Sequence, residues 1–146
     1  MPRTTLTETE IALIQRQRVA RLATADENGS PTLVPICYAF DGNYFYTPLD
    51  EKPKRVQGSQ LRRVKNIQAR HEASLLLDHY SEDWSELWYL QIYGYADIMP
   101  PEHPQHAHIV ELLRERYVQY QSMALEQASI ITLQPGRINA WGPALH

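Results

Sequence analysis

Residues 47–55, Thr-Pro-Leu-Asp-Glu-Lys-Pro-Lys-Arg, bring a hydroxyl and a Lys-Pro-Lys-Arg cluster to the end of an aromatic run, Tyr44-Phe45-Tyr46. A phosphate group needs several converging donors, and charge-assisted hydrogen bonds contribute about 1.5–3 kcal/mol each against roughly 1 kcal/mol for neutral ones. Thr47, Lys52, Lys54 and Arg55 are the right types, and Pro53 restricts the loop, which lowers the cost of ordering it on a ligand. On composition alone the commoner reading is a solvated turn. The cluster counts as a phosphate clamp only with support from elsewhere in the chain.

Other chemistry-bearing residues are weaker candidates. His103, His106 and His108 fall at a helix start with no paired cysteine or carboxylate at a ligand spacing, so no metal site is expected. Cys37 sits between Ile36 and Tyr38 in a strand-like run and reads as a small buried hydrophobe, not a nucleophile. Trp84, Trp88 and Trp141 suit either a core or a stacking surface for a flat ring system. Glu82, Asp83 and Glu86 beside Trp84 read as a solvated acidic loop. Neither a Ser-His-Asp arrangement nor a glycine-rich phosphate loop is present.

The bulk properties narrow the classes. A chain of 146 residues suits one domain, 1–146, and 43% hydrophobic with 21% charged residues is ordinary globular usage. No apolar run reaches the ~18 residues of a membrane span, and the opening MPRTTLTETE lacks a secretion-signal core. With one cysteine and so no internal disulfide, a cytoplasmic, reducing location is expected. The formal charge of −3 argues against a nucleic-acid binder, although Tyr44, Phe45 and Tyr46 beside a basic stretch would suit base stacking. Charge is segregated: seven of the fourteen Lys and Arg residues lie between Lys52 and Arg70, and none between His71 and Leu113.

The elements that must position these residues follow from pattern. Thr7-Glu8-Thr9-Glu10 is a capping box, which predicts a helix near 7–17. RVARLATA, PTLVPICYAF and YFYT, separated by glycine-containing turns, read as a three-stranded meander. Leu61, Val64 and Ile67 predict an amphipathic helix over 59–69, with Arg62, Arg63, Lys65 and Asn66 filling its polar side. ASLLLD is a fourth strand, and LWYLQIYGYADIM a fifth, with Gly94 marking a bulge. A helix near 104–121 follows, and SIITLQ and RINAWG form two short strands parted by Pro135-Gly136. A mainly β chain of the α+β kind, built as a small antiparallel barrel with a few short helices, is the fold expected.

The stretch RVARLATADENGSPTLVPICYAFDGNYFYT resembles the opening of pyridoxamine 5′-phosphate oxidase-related flavin-binding proteins: a strand with Leu-Ala-Thr, a glycine turn, then Pro-x-x-x-Pro. DEKPKR, LRRVKNI, LLLDHYSEDWSELW and Trp141 resemble the subgroup that uses coenzyme F420, over about Arg18 to Pro143. The resemblance implies a six-stranded antiparallel split β-barrel, paired as a homodimer with two cofactor sites across the interface. By position, Thr47, Lys52, Lys54 and Arg55 match the stretch that holds the cofactor phosphate, and Val34, Pro35 and Ile36 match the strand along the ring system. Gln91 and Trp141 match regions that the second subunit supplies. The oxidase itself carries a C-terminal arginine for its substrate that has no counterpart here, so vitamin B6 oxidation is not expected.

The activity so implied is hydride transfer between the deazaflavin and a small conjugated substrate, with FMN as the close cofactor alternative. F420 adds an acidic tail that Arg62 and Arg63 would favour. Tyr38, Tyr46 and Trp88 are aromatic candidates for lining the substrate pocket, with core packing the alternative for each. A reading from another class is a non-catalytic flavin-binding or storage protein.

Overall fold

The computed structural model describes residues 3–49 and 61–145. Helix α1, Glu8–Arg16, starts where the capping box places it: the Thr7 hydroxyl accepts from the Glu10 N–H at 3.1 Å, and the Glu10 carboxylate accepts from the Thr7 N–H at 2.9 Å. Glu10 is buried along with Leu13 and Ile14, and Arg3 satisfies both of its oxygens, at 2.6 and 2.7 Å.

Strands β1, Ala20–Ala25, and β2, Pro31–Ile36, form a hairpin whose turn is tied by Asp26, which accepts from the N–H groups of Asn28 and Ser30. Because the Asp26 N–H donates to the Ser30 carbonyl, ladder alternation directs the backbone groups of residues 30, 32, 34 and 36 toward β1 and those of 31, 33 and 35 away from it. Two of those three are proline. The Pro-x-x-x-Pro spacing thus puts both prolines where no partner strand needs an N–H.

The run PTLVPICYAF is not one strand, which corrects the expected meander. It breaks at Cys37-Tyr38, and Ala39–Phe40 (β3) pairs with Phe45–Pro48 (β4) as a second hairpin. The break has a long-range cause: the Tyr38 N–H donates to the Tyr117 hydroxyl at 3.0 Å, and the Tyr38 hydroxyl donates to the Ile14 carbonyl at 2.6 Å. Helix α2, Arg62–Arg70, follows, then β5, Glu72–His79, β6, Trp88–Met99, α3, His106–Arg116, and β7, Ile130–Trp141. The sheet is wholly antiparallel, in the order β2-β1-β5-β6-β7-β4-β3. Its two edges, β2 and β3, are joined by only two residues, so the sheet has to curl until they meet at that corner. This is the split-barrel form, with seven strands in place of the expected six.

Three further expectations change. SIITLQ and RINAWG are one strand, because Pro135-Gly136 makes a bulge, not an end: Tyr93 pairs with Arg137 and Gly94 with Pro135, leaving Gly136 as the extra residue. Gly94 is the only residue type that fits there, since a Cβ would overlap the Gln134 carbonyl oxygen and lie 3.1 Å from Leu133 Cδ2. The helix expected to 121 ends at Arg116, where Tyr117 turns extended to reach Tyr38, and a short 3-10 helix, Val118–Ser122, continues the chain. Asn66 is not on a solvated face of α2. It is buried, and its amide donates to the Thr24 hydroxyl at 3.0 Å.

The core has two parts. α2 packs on β1 and β6 and α1 beside β3, both contributing to one cluster with Leu22, Leu75, Leu90 and Ile92, while α3 packs Ile109 and Leu113 near β3, β4 and the start of β7. Among the described residues no helix is long and apolar enough to cross a membrane.

Candidate functional site

The antiparallel registers define which residues share the outer face of the sheet. Pro35, Arg21, Leu76, Gln91 and Asn139 lie in one row across β2, β1, β5, β6 and β7, and Asp78, Tyr89 and Trp141 in the next along β5, β6 and β7. Beside that second row is a groove of about 360 Å³ whose lining includes Leu76, Asp78, His79, Tyr80, Trp88, Gln91 and Trp141. Gln91 and Trp141, both singled out in the sequence, therefore share one surface, whereas Trp88 is one residue out of phase on β6 and, at 6% exposed, is buried with the inner face while bordering the groove. Trp141 is half exposed and stacks on Tyr89 with centroids 5.9 Å apart, and Asn139 donates to the Gln91 side-chain oxygen at 3.3 Å.

The position of Trp141 depends on the next residue. Gly142 has φ +143°, and a Cβ there would overlap the Leu87 carbonyl oxygen and Trp88 Cα and lie 2.8 Å from Trp88 Cβ. Only glycine lets the chain cross β6 this closely. Gly142 is a site-forming residue that pattern reading passed over, although its place directly after a tryptophan was a visible signal.

One end of the groove is acidic. The Asp78 carboxylate pairs with Arg21 at 3.0 Å. Beyond Tyr80, Asp83 accepts from the Ser85 N–H and hydroxyl, which hold its carboxyl below the usual carboxylate range. The Ser81 hydroxyl donates to Glu86 at 2.7 Å, so the loop closes on itself and leaves Trp84 68% exposed. The acidic loop is solvated, as composition suggested, yet it presents an unstacked indole beside an aromatic groove.

The candidates on β2 and β4 form a second locus. Val34 is half-buried, Pro35 exposed and Ile36 buried on edge strand β2. Thr47 is buried on β4 opposite Ile131, and extending the β3–β4 register by one residue sets it across from Tyr38, two residues from Ile36. These four gather at the corner where the sheet closes. Lys52, Lys54 and Arg55 lie outside the described residues.

The two loci lie on different parts of the sheet. Thr47 pairs with Ile131, ten residues along β7 from Trp141, which is roughly 30 Å of strand. Along the row, Pro35 and Gln91 are three strand spacings apart, about 14 Å.

Two pocket candidates are corrected. Tyr38 is fully buried, a core residue, and Tyr46 is buried with its hydroxyl donated to Asp41 at 2.7 Å. Burial raises the phenol pKa of both, with Asp41 adding to the effect at Tyr46, so neither ionises near neutral pH. Trp88 borders the groove but is itself buried in the core, so none of the three aromatics stands as an exposed pocket wall. Arg62 is exposed on α2 and Arg63 is half-buried. His106 is buried and donates from Nε2 to the Ala128 carbonyl at 2.7 Å, and among the described residues no cluster of His, Cys, Asp or Glu is arranged to hold a metal ion.

Comparison with known proteins gives a consistent outcome. Residues 6–142 match the family model of pyridoxamine 5′-phosphate oxidase. A conserved hypothetical protein of Mycobacterium tuberculosis superposes with a TM-score of 0.75 at 21% identity, over 99% of this chain and 91% of that one. The heme storage protein HutZ of Vibrio cholerae gives 0.70 at 15% identity, over 92% and 93%. An F420 reductase gives 0.66 at 20% identity, over 92% and 98%. No curated protein sequence matches significantly.

Proposed function

The chain belongs to the pyridoxamine 5′-phosphate oxidase family, and on that premise we propose that it is an oxidoreductase using coenzyme F420, working as a homodimer whose two sites are each built from both subunits. The observation that carries this reading is the separation of Thr47 from Trp141. Ten residues of β7 between Thr47's partner and Trp141 are more strand than a ribityl arm spans, and this separation supports placing the phosphate end and the ring cover of each site on different protomers. Two copies related by a two-fold axis bring the corner of one against the groove of the other, twice.

The residues present fit a planar, phosphate-bearing cofactor. The outward backbone of β2 offers the carbonyls of Pro31, Leu33 and Pro35 and the single N–H of Leu33 to the polar edge of a ring. Thr47, Lys52, Lys54 and Arg55 supply the phosphate donors. Trp141, stacked on Tyr89, gives an apolar cover that excludes water from one ring face. When bound, a deazaflavin supplies hydride transfer itself. The protein anchors, orients and shields, which agrees with a groove whose one carboxylate, Asp78, is already paired with Arg21. The substrate in this reading is a small conjugated molecule lying against the aromatic wall of Tyr80 and Tyr89.

The test is a titration of purified protein with F420 and with FMN, followed by fluorescence. Saturable F420 binding, with FMN weaker, is expected. Tight FMN binding without F420 binding would replace the proposed cofactor, and binding without turnover of enones or quinones would reduce the protein to a carrier.

A further inference from the structure

A second cavity, of about 430 Å³, shares no lining residue with the groove at Trp141. It lies between the N-terminal segment, the β3–β4 turn and the bulged part of β7. Its floor includes the buried side chains of Phe40 and Ile138. Around that floor stand Thr4, Thr5, Asn43 and Gln134, and among the described residues none of these four side chains has a hydrogen-bond partner within the chain. No charged side chain is among the described lining residues, and the partly exposed ring of Tyr44 completes the rim.

Both walls are fixed without a ligand. On one side, the Ile138 N–H donates to the Arg3 carbonyl at 2.7 Å, and Arg3 is clamped to the buried Glu10 through both nitrogens. On the other, the Asp41 carboxylate accepts from the N–H groups of Asn43 and Tyr44, at 2.8 and 2.7 Å, and from the Tyr46 hydroxyl. The backbone of the site is therefore in place before binding, and only the exposed side chains of Thr4, Thr5, Asn43 and Gln134 are ordered by a ligand.

The chemistry of the lining selects its occupant. An ion would leave water with no opposite charge to meet it. An apolar molecule would strip water from four polar side chains and leave them unpaired. Thr hydroxyls and Asn and Gln amides both donate and accept, a match for groups that do the same, while Phe40, Ile138 and the Tyr44 ring match a face of C–H bonds. We propose that this cavity binds an uncharged, hydroxyl-rich molecule of about the size of one sugar ring, a volume at the small end of ligand pockets. The site does not depend on which cofactor the groove accepts.

The test is an amide NMR titration of the full chain with methyl β-glucoside, N-acetylglucosamine, myo-inositol and, as a charged control, glucose 6-phosphate, each to about 50 mM, the range in which weak sugar binding is read. Saturable shifts at Thr5, Asn43, Tyr44 and Gln134 with at least one neutral probe are expected, with a smaller response to the phosphate. The double variant Asn43→Ala/Gln134→Ala alters two side chains without internal partners and should weaken that binding at least about tenfold. Its cofactor affinity should stay unchanged, which separates this result from any failure at the groove. No saturable shift from the neutral probes, shifts that persist in the double variant, or preference for the charged control would each overturn the proposal.

Discussion

Trp88 and Gly142 touch backbone to backbone: β6 begins where the chain leaving β7 crosses it, and a Cβ at 142 would lie 2.8 Å from Trp88 Cβ. Gly142→Ala is expected to cost about 2–3 kcal/mol of stability, read as a lowered urea midpoint, because it adds both a clash and a strained φ. The Trp141–Tyr89 stack should loosen with it, seen as a red shift in tryptophan emission. A variant as stable as the parent would mean the crossing is looser than described.

Glu10 sets an acid limit on the N-terminal segment. Burial pushes its carboxyl up, but the hydrogen bonds from Arg3 and Thr7 outweigh that and hold it below the usual glutamate range. A group whose folded pKa is depressed stabilises above its unfolded pKa and loses that contribution as pH falls through the folded value. Stability should therefore decline below the ordinary glutamate pKa of about 4.3. Glu10→Gln is expected to lose about 2 kcal/mol at pH 7 and to show a flatter dependence of urea midpoint on pH through the same acidic range.

Shared sites make a mixing experiment decisive. Lys52→Ala/Lys54→Ala and Trp141→Ala should each abolish cofactor binding, the first by about 3 kcal/mol or more. Co-refolded in equal amounts they form mixed dimers in which one site is intact and the other doubly damaged, so about a quarter of all sites should bind again. No recovery, with dimers present by sedimentation, would place all these residues in one protomer's site.

Asn66 links α2 to the β1–β2 hairpin: its amide donates to the buried Thr24 hydroxyl at 3.0 Å and, more weakly, to the Thr32 hydroxyl at 3.5 Å. Asn66→Ala strands the Thr24 hydroxyl in the core and should cost about 1–3 kcal/mol, measured by thermal unfolding. Asn66→Ala/Thr24→Val should recover part of that loss.

Local signals were legible in the chain, and long-range ones were not. The capping box at Thr7 acts within a few residues and predicted its helix, and the glycine at 94 marked a bulge whose extra residue, Gly136, lies on the partner strand. The break at Cys37-Tyr38 is made by Tyr117, seventy-nine residues away, and nothing in PTLVPICYAF announces it. Asn66 looked solvated because its neighbours on α2 are cationic, while its partner Thr24 is on another element. Pro135-Gly136 carried the right signal for irregular backbone but was given the wrong kind, an end where the strand bulges. At the site, Gln91 and Trp141 were singled out by resemblance, and only the strand registers bring them to one surface, while alternation along β6 turns Trp88 inward. Burial removed Tyr38, which is aromatic and lies just past β2 yet points into the core.

The alternating prolines of β2 carry a consequence beyond ligand recognition. An edge strand invites a foreign strand to extend the sheet, and growth of that kind needs N–H donors at every second residue. Here Leu33 offers the one outward donor between two prolines, and it is 67% exposed. The edge is chemically half-erased, so an open sheet can stay exposed to other chains without seeding fibrils.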